Sequence, residues 1–219
     1  MAALDTLDRL DEAEGLDDAQ EQAAEQAETV GSFVAKFRER TRELVEQGSV
    51  EQSEADERER VIEAAAEGSE HLKLADLGQN VLGQAMVGGG DGGVQLSRDV
   101  FATAGSAADV EQAQHVAAHE REHSKQVQLH GTLTMDGEEV DHLLLLEGGA
   151  ELAGNKAVGK GVDHHRAGQP KEMYQEGQKA VVDLVQRLGR AKVDAVLKGS
   201  GDVTLLRDPK EKGQEALAA

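Results

Sequence analysis

The 219-residue chain has no cysteine, no tryptophan and only two prolines, and its aromatic residues are three phenylalanines and one tyrosine. Without cysteine there are no disulfide scaffolds, thiolate nucleophiles or thiolate metal sites, so a metal would have to be held by histidine and carboxylate. Long hydrophobic runs are missing too. The longest purely aliphatic one, residues 143–146, is far too short to span a bilayer. The opening MAALDTLDRLDEAEG has neither a basic start nor an apolar stretch, so no secretion signal is expected and the location is read as cytoplasmic.

Positive charge is scarce: 23 Lys and Arg stand against 43 Asp and Glu, a net charge of -20. Such a surface argues against nucleic acid or an anionic membrane as partner. The excess is uneven, with 21 acidic and 7 basic side chains in residues 1–71. Two readings fit this composition. Abundant acidic, Ala and Gly residues suit a halophilic protein, whose self-repulsion is screened by salt. They also suit an acidic, partly disordered arm.

Residues 1–70 are therefore expected to form an acidic helical or partly disordered extension, and residues 71–219 the main domain. Within the extension, residues 4–29 show weak apolar spacing and read as a solvated helix or a disordered arm. Phe33, Phe37 and Val45 recur at helical spacing over 33–47, and 50–66 reads as a second helix. Leu74, Leu77 and Val81 suggest a short helix over 72–86. The run GGGDGG at 88–93 lacks the Lys-Ser/Thr ending of a phosphate loop and reads as a turn. Val94 and Leu96, with Val100 and Phe101, then suggest a short strand. Ser106 and Asp109 have the spacing of a helix cap, and the helix they open should run to about Val127. Leu133 and Met135 before Asp136-Gly137 suggest a hairpin or loop, and Asp141 opens the helix HLLLLEGGAELAGNKAV. Pro170 enters a further helix, 191–197 forms another, and 203–206 a small strand. The fold class is α+β, predominantly helical.

Half of the eight histidines fall in HVAAHEREHSKQVQLH, residues 115–130. His119, Glu120 and His123 form H-E-x-x-H. On a helix, side chains four apart lie one above the other, so both imidazoles can hold one zinc ion, with Glu120 near enough to work on a neighbouring water. Random placement of eight His and 26 Glu yields this pattern in roughly 3% of such chains, so it carries information. The competing reading is a solvated helix face bearing incidental histidines. Glu147 weighs against it: a carboxylate directly after four leucines is costly to bury unless paired or metal-bound. Glu147 is accordingly the expected third ligand, with Glu151 one turn on as its rival or as a group orienting a ligand histidine. Gly148 and Gly149 would let two helices approach closely at the metal. His115, one turn before His119, reads as a capping or exposed residue or as a group supporting the site. His130 reads as a helix-end imidazole favoured by the dipole, His142 as exposed, and His71 carries no signal.

HEREH followed downstream by LEGGAE resembles the gluzincin clan of zinc metallopeptidases, in which the metal-binding glutamate is commonly followed by Gly-x-Ala. The compact order of strand, motif helix and glutamate helix over about 92–155 is similar to the minigluzincins. The resemblance implies a zincin-like core, a Zn2+ cofactor, a peptide or protein substrate and Glu120 as general base. It also implies that 94–96 form the upper rim of the cleft. A second donor for the developing oxyanion would come from Tyr174 or from His165 in Asp163-His164-His165. The extension would then cover the cleft, bind a partner or mediate self-contact through its helices. The alternative is a non-enzymatic acidic interaction protein whose metal site is structural or vestigial, which a fourth protein ligand would support. A di-iron bundle would need a second E-x-x-H, and no suitable one is present.

Overall fold

The computed structural model describes residues 14–78, 80–129, 132–135, 138–161 and 171–206. Among the described residues three helices come first: α1 (Glu14–Gln26), α2 (Val30–Glu46) and α3 (Gln52–Ala66). The Thr29 hydroxyl caps α2 by accepting from Ser32 N at 3.1 Å. Three short strands follow, β1 (Lys73–Ala75), β2 (Gly83–Ala85) and β3 (Val94–Ser97), then the one-turn helix α4 (Arg98–Ala102). Next come α5 (Ala107–Lys125), the hairpin β4 (Thr132–Met135) and β5 (Glu138–Asp141), α6 (His142–Ala157), α7 (Lys171–Leu188) and α8 (Arg190–Leu197). The fold is mostly helical with short strands, and among the described residues no helix is long and apolar enough to cross a membrane.

One sheet has the order β1-β3-β2, with β1 parallel and β2 antiparallel to β3. This corrects the helix expected over 72–86. Leu74, Leu77 and Val81 have helical spacing, but tertiary pairing decides their conformation: Leu74 stands opposite Leu96 and Gly83 opposite Leu96 on its other side. Val100 and Phe101 are helical, not part of the strand, because the Ser97 hydroxyl caps α4 directly after it. Residues 203–206 form a 3-10 turn where a strand was expected.

Two large apolar clusters, with a small third one of Leu16, Val50 and Ala55, hold the described elements together. The larger joins Ala19, Ala23 and Ala24 of α1, Ala27 just after it, Phe33 and Phe37 of α2, Ile62 of α3, Val94 and Leu96 of β3, and Ala113 of α5. All three phenylalanines of the chain are in it, with Phe33 5.6 Å from Phe101 and 6.2 Å from Phe37 between ring centroids. Each buried ring contributes about 2–3 kcal/mol by transfer alone. Helix α1 was expected to be solvated or disordered, but it buries Leu16 and three alanines, Ala19, Ala23 and Ala24. Alanine gives a weak hydrophobic signal while allowing close helix approach. The second cluster packs Leu145 of α6 against Val181 and Leu184 of α7 and Val193 and Val196 of α8. Helices α5 and α6 lie side by side between these clusters, and the histidines face their contact.

Candidate metal centre

Helix α5 starts with a reciprocal cap. Asp109 N donates to the Ser106 hydroxyl while the Asp109 carboxylate accepts from Ser106 N at 3.0 Å. That start sets the helix phase, and three successive turns then place His115, His119 and His123 in one buried row. Helix α6 begins at Asp141, whose carboxylate accepts from Leu143 N, and brings Glu147 and Glu151 to the same row.

Nε2 of His119 lies 3.0 Å from Nε2 of His123, and Oε2 of Glu147 lies 3.5 Å and 3.4 Å from them. Ligands at about 2.0–2.1 Å around a tetrahedral zinc stand about 3.3 Å apart. The triangle therefore matches three corners of such a tetrahedron. These three residues form the one candidate metal cluster among the described residues. Glu151 points elsewhere: its Oε2 is 3.3 Å from Nδ1 of His119 and its Oε1 is 3.3 Å from Nε2 of His115.

His115 is only 2% exposed, against the capping or exposed reading. The reason lies on the other helix, where a Cβ at Gly154 would stand 2.7 Å from the His115 ring. His142, also expected exposed, is buried at the start of α6. His130 and His165 lie outside the described residues. The glycine expectation needs a similar correction. Gly149 does adjoin the end of the motif helix, at the Gln126 side chain, but Gly148 faces α7, where a Cβ would meet the Gly177 backbone at 2.1 Å.

Charge at the centre is strongly coupled. Burial opposes a charge on His119, but the carboxylates of Glu147 and Glu151 outweigh it and raise its pKa to about 9. Burial likewise pushes Glu147 up, yet His119 and His123 bring it down to about 2. Glu151 is held well below the usual carboxylate range, with burial overcome by His115 and His119. Glu120 goes the other way: burial raises it, and the nearby histidines only partly offset this. The centre thus attracts positive charge, while Glu120 has the basicity of a carboxylate removed from water.

A cleft of about 270 Å³ opens over these groups, walled by β2 on one side and by Leu143, Leu146 and Tyr174 on the other. None of its lining residues comes from α1, α2 or α3. The rim strand is β2, not 94–96 as expected, since β3 sits in the middle of the sheet. Gly83 backs Glu120 closely, for a Cβ there would stand 2.7 Å from Glu120 Cγ. The Tyr174 ring lies 6.0 Å from the His119 ring. Sequence reasoning missed the side chain of Gln126, while of its two readings of His115 the supporting one fits the buried ring beside Glu151. Gln126 is fully buried and bonded to His123, and its only sequence signal was a position three residues past the motif. No family model matches the chain, and comparison with curated proteins and with solved structures returns no match.

Proposed function

We propose that the protein is a zinc-dependent peptidase with a zincin-like core of gluzincin type. The observation that carries this reading is the triangle of two imidazole nitrogens and one carboxylate oxygen at near-tetrahedral spacing, beside a basic carboxylate and open to a cleft. His119, His123 and Glu147 would hold the ion. When bound, zinc supplies Lewis acidity, making a water more acidic and a carbonyl more electrophilic.

The remaining steps belong to the protein. The Glu120 carboxylate takes a proton from the attacking water as the carbon–oxygen bond forms, and passes it to the amine nitrogen as the carbon–nitrogen bond breaks. Its raised pKa suits both halves of that shuttle. The Tyr174 hydroxyl donates to the carbonyl oxygen as negative charge develops there. Between the two candidates for this role, Tyr174 is supported by its place in the cleft wall.

The cleft also favours an extended peptide. Strand β2 is an edge strand whose pairs 82–97, 84–95 and 86–93 face β3, as shown by Ser97 N donating to Leu82 O and Met86 N to Gly93 O. In an antiparallel ladder the alternate residues point their backbone groups outward. Gly83 and Ala85 therefore offer N–H and C=O groups to a strand laid along the rim. The test compares zinc-loaded parent with Glu120→Gln on a mixed peptide library. Equal zinc content is expected, with cleavage by the variant at least about 10²-fold slower than by the parent. Equal cleavage by both would refute the mechanism, and absence of stoichiometric zinc in the parent would refute the site.

A further inference from the structure

We propose that Gln126 is a positioning residue that fixes the tautomer of His123, so that its Nε2 lone pair faces Glu147 and His119. The proposal rests on the reading of these residues as a zinc site. Gln126 closes α5 as its C-terminal cap and has no exposed surface. A primary amide has two unlike ends, one that only donates and one that only accepts. One end lies 2.9 Å from the carbonyl oxygen of Leu146. That oxygen can only accept, so the end facing it is Nε2, and the amide has one satisfactory orientation.

The other end, Oε1, then lies 2.8 Å from Nδ1 of His123. An amide oxygen cannot donate, so Nδ1 carries the hydrogen. A neutral imidazole protonated at Nδ1 has its lone pair at Nε2. This is the atom 3.0 Å from His119 and 3.4 Å from Glu147. The contact between the two histidines is consistent with this assignment: His123 accepts at Nε2 and His119 donates.

Leu146 immediately precedes Glu147, so one chain of two hydrogen bonds ties the backbone that delivers the third ligand to the protonation pattern of the second. Space for the amide is provided by Gly149, where a Cβ would stand 3.1 Å from Gln126 Nε2. His119 is treated differently, since its Nδ1 meets the carboxylate of Glu151. The two ligand imidazoles are thus oriented by chemically different partners. The neutral partner acts through a direction imposed from the other helix.

A mere strut between α5 and α6 would serve equally through either bond, and the variants separate these roles. Gln126→Leu removes both bonds, whereas Gln126→Glu keeps an acceptor for Nδ1. Two readouts are taken: the His123 tautomer by 15N NMR of the metal-free protein, and zinc affinity by competition with a chelator. The parent should show the Nδ1–H form. Gln126→Leu should lose that preference and bind zinc about 10- to 100-fold more weakly, while Gln126→Glu stays within about fivefold of the parent. A His123 proton on Nε2 in the parent would overturn the proposal, as would equal losses in both variants or none in either. If Gln126→Leu does not fold, Gln126→Asn, too short to reach both partners, replaces it under the same criteria. A parent that takes up no zinc sinks the peptidase reading instead, and the tautomer measurement still decides the role of Gln126.

Discussion

Among the described residues, two of the buried polar centres are built on opposite principles. In the N-terminal half, Arg58 is 2% exposed on α3 and donates to Asp17 at 2.7 Å and to Gln20 at 2.6 Å, both on α1. Gln20 passes the connection on to the carbonyl oxygens of Phe101 and Ala104. Here a fixed cation meets a carboxylate and an amide oxygen through one of its terminal nitrogens. Between α5 and α6, by contrast, Glu120, Glu147 and Glu151 crowd around histidines whose charge is optional. Carboxylates outnumber the one histidine held charged, His119, and such a cluster of shifted groups beside a cleft is informative about function. The first centre ties helices together; the second is shaped for a charge that the chain itself does not supply.

The widest separation is expected between Glu120→Gln and Arg58→Ala. The glutamine variant should lose between about 10²- and 10⁴-fold in kcat/KM, with zinc content and melting temperature close to the parent's. Removing Arg58 leaves the buried Gln20 oxygen without its donor and empties a large side-chain volume. Asp17 is about half exposed and adds little, so the cost is about 3 kcal/mol, toward the lower end for breaking a buried pair. Thermal unfolding should show it as a drop of roughly 6–12 °C, while cleavage per folded molecule stays unchanged. A variant of Arg58 that melts normally, or one that loses specific activity when folded, would collapse the distinction between the two centres.

How much of this was legible in the sequence follows from the range over which each signal acts. The i,i+4 histidines and the capping residues Ser106, Asp109 and Asp141 are local, and each stands where its pattern put it. Glu147 was legible through energetics, because an acid following four leucines needs a reason to be there. Long-range features were not readable. Strand β1 owes its conformation to partners more than twenty residues away in β3. His115 is buried because residue 154 happens to lack a side chain. Arg58 and Arg60 look alike in the run DERER, and only the packing of Ala55, Ile62 and Ala65 on the same side shows that Arg58 turns inward. Alanine was the most misleading residue, since a helix can bury a face of it without announcing a hydrophobic stripe.

Two smaller effects sharpen the catalytic side of the comparison. Tyr174→Phe removes a hydroxyl from the cleft while keeping its ring against His119. On the proposed role as oxyanion donor, a fall of about 10²-fold in kcat is expected, with KM and zinc affinity little changed. A fall in zinc affinity instead would make Tyr174 part of the metal's support.

The smallest expected effect comes from Gly83→Ala, and it is the most specific. An added Cβ would stand 2.7 Å from Glu120 Cγ, 2.9 Å from Val116 Cγ1 and 3.1 Å from Glu120 Oε1. Two of these three atoms belong to one side chain, and that side chain ends in the open cleft, so Glu120 can yield. Displacing it moves the proposed base away from its working position, and misplacement of well under 1 Å should cost about 10-fold in kcat. The metal ligands are untouched, so zinc affinity should hold. Strand pairing should also survive, since alanine is tolerated in a strand and Gly83 has no left-handed backbone requirement. If Gly83→Ala instead lowered the melting temperature with kcat intact, the clash would have been absorbed by β2 moving away from α5. Glu120 would then be rigid and the rim strand soft, the reverse of the arrangement that the packing around Gly83 implies.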